Sequence, residues 1–267
     1  MMTFEYTYLK ELLLILAVLA LLLVSYYYGF WLGGKMIGKK GDKHLSLISN
    51  IHVGLTGILG VMLAFSFSLS STRFEYRRQL IIKESMSIGT AFFRAGLLPD
   101  TIKNDVRNLL LEYIDARLKF YKDGNTDEDR IKINSESRRL QVKIWSITAI
   151  IGKSAPSLNT NVTILALNEM IDVSGNISSS FQNHLPRIII ILLVIVSMCT
   201  IFAQGYCHGF SSDKNIRFAL LICIVICSIL FLIKDMDAPT SGFLRADIYG
   251  LLEIKQEINK YSYSVNK

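Results

Sequence analysis

Cysteine and histidine are the residues of this chain that could bind a metal or act as nucleophiles, but their spacing fits no common site. Cys223 and Cys227 are four residues apart, which places them on one face of a helix, and His208 directly follows Cys207. A metal site needs several ligands at short, regular spacing, and no second histidine or carboxylate supplies them. We therefore predict no metal and no cofactor, and interpret the cysteines as small apolar fillers of membrane helices.

Residues 33–40 come close to a phosphate-binding loop. Gly33, Gly38 and Lys39 have the required spacing, but Lys40 stands where such a loop needs serine or threonine. The segment also follows an apolar helix instead of a strand. We interpret it as a flexible basic loop at the level of the lipid headgroups.

Glu169 and Asp172 have the spacing that a pair of catalytic carboxylates on one helix would have. They are three residues apart, hence on one face of a helix, and a membrane enzyme acting through them and Asn168 is one hypothesis. Pairing with lysine or arginine explains these carboxylates more simply. We predict that the chain is not an enzyme.

The composition restricts the class of protein. The chain has 267 residues, of which 51% are apolar and 19% charged, and its mean hydropathy is +0.37. Disorder requires low hydrophobicity, small disulfide-bonded proteins have more cysteines in a shorter chain, and ordinary soluble domains carry more charge. A membrane protein remains.

The charge of the chain predicts its partners. Lysine and arginine number 29 against 22 aspartates and glutamates, a net charge of +7. The positive residues are spread along the chain, and many flank apolar segments. We therefore expect contacts with the lipid bilayer and with small anions, and none with nucleic acid.

Four apolar segments predict helices that cross about 30 Å of hydrocarbon. They are residues 12–32, 45–69, 188–206 and 218–233. The last is short, about 24 Å at helical rise, so it needs a thinned bilayer or extra turns at its ends. A cleavable signal peptide is the alternative for the first segment, but Glu5, Lys10 and Glu11 and the lack of a small-x-small cleavage site favour a retained span.

These segments predict an all-α membrane protein with four transmembrane helices and a helical cytosolic insert between the second and the third. The expected domains are residues 1–70 with the first two spans, 71–186 with the cytosolic helices, 187–233 with the last two spans, and 234–267 with an acidic turn and a C-terminal helix. More lysines and arginines flank the face that carries the termini than the opposite face. The positive-inside rule therefore predicts a multi-pass protein of the cell membrane with cytoplasmic termini and a cytoplasmic middle domain.

Helical periodicity continues through the middle region. We expect the second span to continue over residues 73–98 as one long helix that ends at Pro99. Further helices are expected over 102–121, 126–153 and 159–182, with Thr126 as the cap of the second of these, and over 248–260. After the fourth span, Asp235 and Asp237 precede proline and glycine, which predicts an acidic turn.

The second span carries polar residues, which are costly inside a bilayer and therefore indicate function. Spacings of three and four place six of its residues on one helix face: Asn50, Gly54, Gly57, Val61, Phe65 and Ser68. One interpretation is close packing of helices, because small residues let backbones approach. The other is a water-exposed pore face with an apolar constriction at Val61 and Phe65. Spacing alone favours packing.

Two segments of the sequence resemble bestrophins. Residues 63–74 are similar to the second span of bestrophin channels, and Asp237, Pro239 and Gly242 resemble the segment after their last span. Residues 74–94 and 166–172 are similar to a bacterial family described as bestrophin-like, which has no assigned activity. The resemblance extends over roughly residues 10–255, and the order of spans and insert agrees.

The resemblance implies a pentameric anion channel in a bacterial inner membrane, whose second span lines a narrow apolar neck. By position, Val61 and Phe65 would be neck residues and Gly57 the third, although a glycine departs from the bulky apolar residue expected there. The acidic run of eukaryotic bestrophins is denser than Asp235 and Asp237 provide. We therefore predict no calcium site.

Two functions follow as hypotheses. The first is a homo-oligomeric ion channel that conducts anions, with Arg73, Arg77 and Arg78 attracting anions at the cytosolic end of the second span. The second is a non-conducting membrane scaffold or sensor, in which the helical middle domain binds a partner and the small face of the second span only packs.

Overall fold

The structure is a computed structural model that describes residues 2–37, 42–124, 127–211, 216–238, 244 and 247–265. These residues form helices and short connections, and no strand occurs among them. The helices are α1 (Met2–Lys35), α2 (Asp42–Ala95), α3 (Asp100–Asp123), α4 (Asp127–Ser154), α5 (Leu158–Gln182), α6 (Arg187–Phe210), α7 (Ile216–Asp237) and α8 (Tyr249–Val265). The all-α fold class predicted from the sequence is confirmed.

Among the residues that the structure describes, four helical stretches are long and apolar enough to cross a membrane. They are Leu12–Lys35, Lys43–Ala95, Leu158–Phe210 and Ile216–Asp237. The fourth span, which is short by sequence pattern, gains turns at both ends, so that α7 has 22 residues. At about 1.5 Å per residue this length crosses the hydrocarbon without a thinned bilayer.

Helix α2 is a single helix of 54 residues, so the prediction that the second span continues as one long helix is confirmed. It ends at Ala95, three residues before the predicted end. The amides of Gly96, Leu97 and Leu98 donate to carbonyls three residues earlier, which tightens the chain into 3₁₀-type turns ahead of Pro99.

The remaining predicted helices are present, with ends that differ by a few residues from the sequence pattern. The cap of α5 is Ser157, whose hydroxyl accepts a hydrogen bond from the amide of Thr160 at 3.1 Å. Thr126, the predicted cap of α4, lies outside the described residues.

The chain divides into two compact units. The first, which we call the span unit, comprises Met1–Thr72 and His184–Asp237. The second, the insert unit, comprises Arg73–Asn183 and Ala238–Lys267. Helix α2 contributes its first half to the span unit and its second half to the insert unit.

Helices α1 and α6 of the span unit pack with their backbones in contact. Gly29 and Gly33 of α1 lie against the carbonyl oxygens of Phe202 and Tyr206, where an added Cβ would overlap those oxygens. Two glycines of α6, Gly205 and Gly209, lie in the same way against Tyr26 and Phe30 of α1. Both helices thus carry a Gly-x-x-x-Gly pattern, the common basis of close helix association in membranes.

The insert unit has its own apolar core. Its largest cluster joins the second half of α2 with α3, α4, α5 and α8, and Ile88, Leu110, Ile114, Leu167 and Leu251 are fully buried there. A smaller cluster includes Phe120 and Phe181, whose rings stack with centroids 5.4 Å apart. Burial of apolar surface on this scale is what holds helices together outside a membrane.

Candidate functional site

The six residues predicted to form one face of α2 are all exposed in the isolated chain. Val61 is 57% exposed and Phe65 68% exposed. The opposite side of the same helix segment is packed, because Leu59, Leu63 and Ser66 are buried in the span unit. The small and polar residues of this face are therefore open to their surroundings in the part of the chain that the structure describes.

Two glycines of this face, and Gly60 beside it, show the same openness. A Cβ added at Gly54, Gly57 or Gly60 would meet no atom within 4 Å among the residues that the structure describes. Close helix packing within the chain, one interpretation of these small residues, occurs instead at the glycines of α1 and α6. The α2 glycines remain available to a neighbouring molecule, to lipid or to water.

Hydroxyl groups in this half of α2 bond to their own helix. Thr56 donates to the carbonyl of His52 at 2.8 Å, and Thr72 donates to that of Ser68 at 2.9 Å. Such bonds satisfy a hydroxyl inside a membrane without a partner on another helix.

The three arginines predicted to attract anions lie in different environments. Arg78 is exposed and bonds to Glu75 at 3.4 Å, Arg73 is half-buried, and Arg77 is only 2% exposed. In the isolated chain Arg78 is the most accessible of the three, with 52% of its side chain exposed. Its pairing with Glu75 neutralises part of its charge.

Asp235 and Asp237 lie in the last turn of α7 and not in a loop, which differs from the predicted acidic turn. Both are nearly buried. The two carboxylate oxygens of Asp237 accept the backbone amide of Leu185 at 2.9 and 3.0 Å, and His184 lies 3.4 Å away. Asp237 thus ties the end of α7 to the chain that leads into α6. Pro239 and Gly242, predicted to form the turn, lie outside the described residues.

The residues considered above for catalysis or metal binding have structural roles. Glu169 pairs with Lys83 at 2.9 Å on the surface of the insert unit, which confirms the simpler explanation of that carboxylate. Cys223 and Cys227 are buried in the span unit, as apolar fillers would be. No group of three histidine, cysteine or carboxylate side chains within the described ranges is arranged to hold a metal ion.

A buried ion pair in the insert unit escaped the sequence analysis. Arg117 of α3 donates from Nε to Glu84 of α2 at 2.5 Å, and both side chains are fully buried. Tyr121 donates its hydroxyl to the other oxygen of Glu84 at 2.6 Å. The Nη1 group of Arg117 has no hydrogen-bond partner in the described part of the chain. Because both charges are buried and each needs the other, the pair holds α2 and α3 in one relative position.

The surroundings of this pair shift the ionisation of its members. Burial is the largest single effect and disfavours the charge on Arg117, but the Glu84 carboxylate, together with Tyr121 and Tyr113, outweighs it and raises the pKa of Arg117. Burial, followed by the nearby Glu84 carboxylate, raises the pKa of Tyr121 well above its ordinary value. The pKa of Tyr113 is also raised, mainly by burial.

Two histidine–tyrosine pairs lie in the span unit, toward the C-terminal ends of α1 and α6 and at the N-terminal end of α2. His208 bonds to the hydroxyl of Tyr26 at 2.9 Å, and His44 bonds to the hydroxyl of Tyr206 at 2.8 Å. Each pair joins two helices, α1 with α6 and α2 with α6. No regular sequence spacing relates the members of a pair, so the sequence analysis missed them.

These features define the class of the protein, a helical membrane protein with four apolar helices in its described part. Comparison with solved structures identifies the fold more closely. In one crystal structure, a point mutant of a bacterial bestrophin homologue from Klebsiella pneumoniae shares 15% sequence identity with this chain. The match covers 94% of this chain and 98% of the homologue, with a TM-score of 0.64. A second mutant is 14% identical, covers 92% and 96% of the two chains, and has a TM-score of 0.66. A structure of the homologue from the same organism, solved by zinc phasing, is 14% identical, covers 91% and 95%, and has a TM-score of 0.64.

These likenesses show that the chain has the fold of bacterial bestrophin homologues over nearly its whole length. The resemblance seen in the sequence is thereby confirmed at the level of the fold. No family model and no curated protein sequence matches the chain.

Proposed function

We propose that the chain is a subunit of a homo-oligomeric ion channel in a bacterial inner membrane, in which α2 lines the pore and the permeant ions are anions. The open face of α2 carries this proposal, because its small, polar and apolar residues are exposed and no described residue covers its glycines. The shared fold with bestrophin homologues supports it, since the sequence resemblance to bestrophins implies an anion channel.

In this proposal Asn50 and Gly54 line the wide mouth of the pore, and Val61 and Phe65 form its apolar neck. Apolar constrictions regulate ion flow by expelling water, and cationic rings favour anions. Gly57 leaves a wider ring than a bulky residue would. Arg78 supplies positive charge beyond the neck, and Arg73 adds to it.

Subunits are required because one α2 cannot enclose a pore. A ring of identical subunits places the same face of every α2 on the symmetry axis. The resemblance implies five subunits. The insert unit and both termini lie in the cytoplasm in this arrangement, and we propose no enzymatic activity.

The direct test is planar-bilayer recording of the purified full-length protein. We expect anion-selective currents in the unmodified protein and a larger single-channel conductance for Phe65→Ala, because the substitution widens the neck. Phe67→Ala is the matched control, since Phe67 is also exposed on α2 but lies roughly 160° away around the helix. The absence of currents, or the same conductance change in both variants, would contradict the proposal.

A second measurement separates the channel from a non-conducting scaffold or sensor. Single cysteines are placed along residues 50–68 after the four native cysteines are replaced. Reaction with a water-soluble thiol reagent at every third or fourth position, on the face of Gly54 and Val61, indicates a water-filled pore. Uniform protection along the face would favour the scaffold.

A further inference from the structure

A groove of about 550 Å³ opens between α1, α2 and α6 of the span unit. Its long wall is apolar and is formed by Ile48, Ile51 and Leu55 of α2 together with Met198 and Phe202 of α6. One end is polar, because His44 and Tyr206 lie there and bond to each other at 2.8 Å. The groove is thus apolar along most of its length, with the His44–Tyr206 pair at one end and the hydroxyl of Ser25, which donates to the carbonyl of Met198, away from that end.

This groove is separate from the proposed pore face. Around the helix axis of α2, Ile48, Ile51 and Leu55 lie roughly 110° away from the centre of the face that contains Gly54, Gly57 and Val61. A molecule in the groove would therefore not lie on the path of ions. The inference does not depend on whether the chain conducts.

The charge near the polar end is positive. Lys43 is exposed and directly precedes His44. In the sequence, residues 39–43 carry three lysines and one aspartate, a net positive charge. An anionic group at this end would gain from Lys43 and from one hydrogen bond, donated by the member of the His44–Tyr206 pair whose N–H or O–H is not used within the pair.

We propose that the groove binds one anionic phospholipid, with an acyl chain along Ile51 and Phe202 and the phosphate near Lys43, His44 and Tyr206. Three observations support this occupant. The groove lies on helices that cross a membrane, its shape is open at one side and apolar along most of its length, and the charge at its polar end complements a phosphate. A zwitterionic lipid would satisfy the apolar wall but gain less at the polar end.

Native mass spectrometry of the detergent-purified full chain tests the proposal. The protein is titrated with phosphatidylglycerol or with phosphatidylcholine of the same acyl chains. We expect phosphatidylglycerol to bind about fivefold more tightly, the effect of one lysine near an anionic headgroup. Lys43→Gln should bring the two affinities close together.

A second pair of variants tests the location. Ile51→Trp fills the groove and should abolish the preferential binding, whereas Val53→Trp, at an exposed position that does not line the groove, should leave it unchanged. Circular dichroism and elution volume establish that both variants fold. The comparison of the two lipids on the unmodified protein stands even if Ile51→Trp does not fold.

Three results would overturn the proposal. Equal affinity for the two lipids would show that the groove has no preference for an anionic headgroup. Displacement of phosphatidylglycerol by glycerol phosphate would indicate a site for soluble phosphates instead of a lipid. A change in oligomeric mass in Ile51→Trp, with lipid binding unchanged, would indicate that a second copy of the chain covers the groove.

Discussion

At the scale of single residues, the ion pair of Glu84 and Arg117 is the interaction of the insert unit whose disruption we expect to cost the most stability. Both are fully buried, and each would be an uncompensated polar or charged group without the other. A buried ion pair contributes little against a well-packed apolar pair, but loss of one partner is costly. Its role is therefore to fix one arrangement of α2 against α3.

Glu84→Gln is expected to lower the free energy of unfolding by about 3–5 kcal/mol, because Arg117 stays charged and loses its counter-ion. The measurement is chemical unfolding in detergent followed by circular dichroism. Glu75→Gln is the control, since Glu75 pairs with Arg78 on the surface, and it should change stability by less than about 1 kcal/mol. A similar loss of stability in both variants would show that the buried ion pair matters no more than the exposed one.

Tyr121 makes stability depend on alkaline pH. Its pKa is raised well above the ordinary value of 10 in the folded chain, mainly by burial, so the unfolded chain releases this proton first as pH rises. The contribution is complete below about pH 10 and declines above it, by at most about 1.4 kcal/mol per pH unit. Tyr121→Phe should lose stability less steeply between pH 9.5 and 11 than the unmodified protein. Equal slopes would contradict a buried, protonated hydroxyl.

Contacts between residues distant in sequence were not predictable. Glu84 and Arg117 are 33 residues apart and on different helices, and neither stands out in the sequence of its helix. Gly33 was interpreted from sequence as part of an imperfect phosphate-binding loop, whereas its structural role is contact with Tyr206 on α6. The Gly-x-x-x-Gly spacing at 29–33 and 205–209 was a signal that could have revealed this packing.

At the scale of elements, the sequence predicted most of the fold. Apolar length and helical periodicity specify α2 as one helix, because no proline occurs before Pro99. The end of α7 was misplaced, since an aspartate near proline favours a turn, yet Asp237 stays helical by accepting the amide of Leu185. Tertiary contact here overrides the local preference.

Helices α1 and α6 provide a test of packing at this scale. Gly205→Ala should destabilise the span unit by about 1–3 kcal/mol, because the added methyl group would overlap the carbonyl oxygen of Tyr26. Gly54→Ala is the matched control, since its added methyl group meets open space and alanine is the better helix former. Unfolding in detergent compares the two variants. A larger loss for Gly54→Ala would mean that its open face is tightly packed in the assembled protein.

At the scale of the whole molecule, four spans predict that the two chain segments of the insert unit, which carry α3 and α8, lie on one side of the membrane. Cysteines introduced for Lys122 on α3 and Lys260 on α8, in a chain without native cysteines, should react from the same side with an impermeant thiol reagent in oriented vesicles. A cysteine at Arg217, at the start of α7, should react from the opposite side. If the cysteines at positions 122 and 260 reacted from different sides, the chain would have to cross the membrane an odd number of times between them, which would contradict the prediction.

The backbone contact between α1 and α6 has a consequence for how the protein is made. Ser25 of α1 bonds to the carbonyl of Met198 on α6, 173 residues later. At about 5–20 residues per second, synthesis of that stretch takes roughly 10–30 s. During this interval α1 is in the bilayer with its glycine face uncovered, and completion of the span unit waits for the ribosome to deliver α6. Slower translation or premature termination before residue 205 would therefore leave a first helix prone to pairing with the glycine face of another nascent chain.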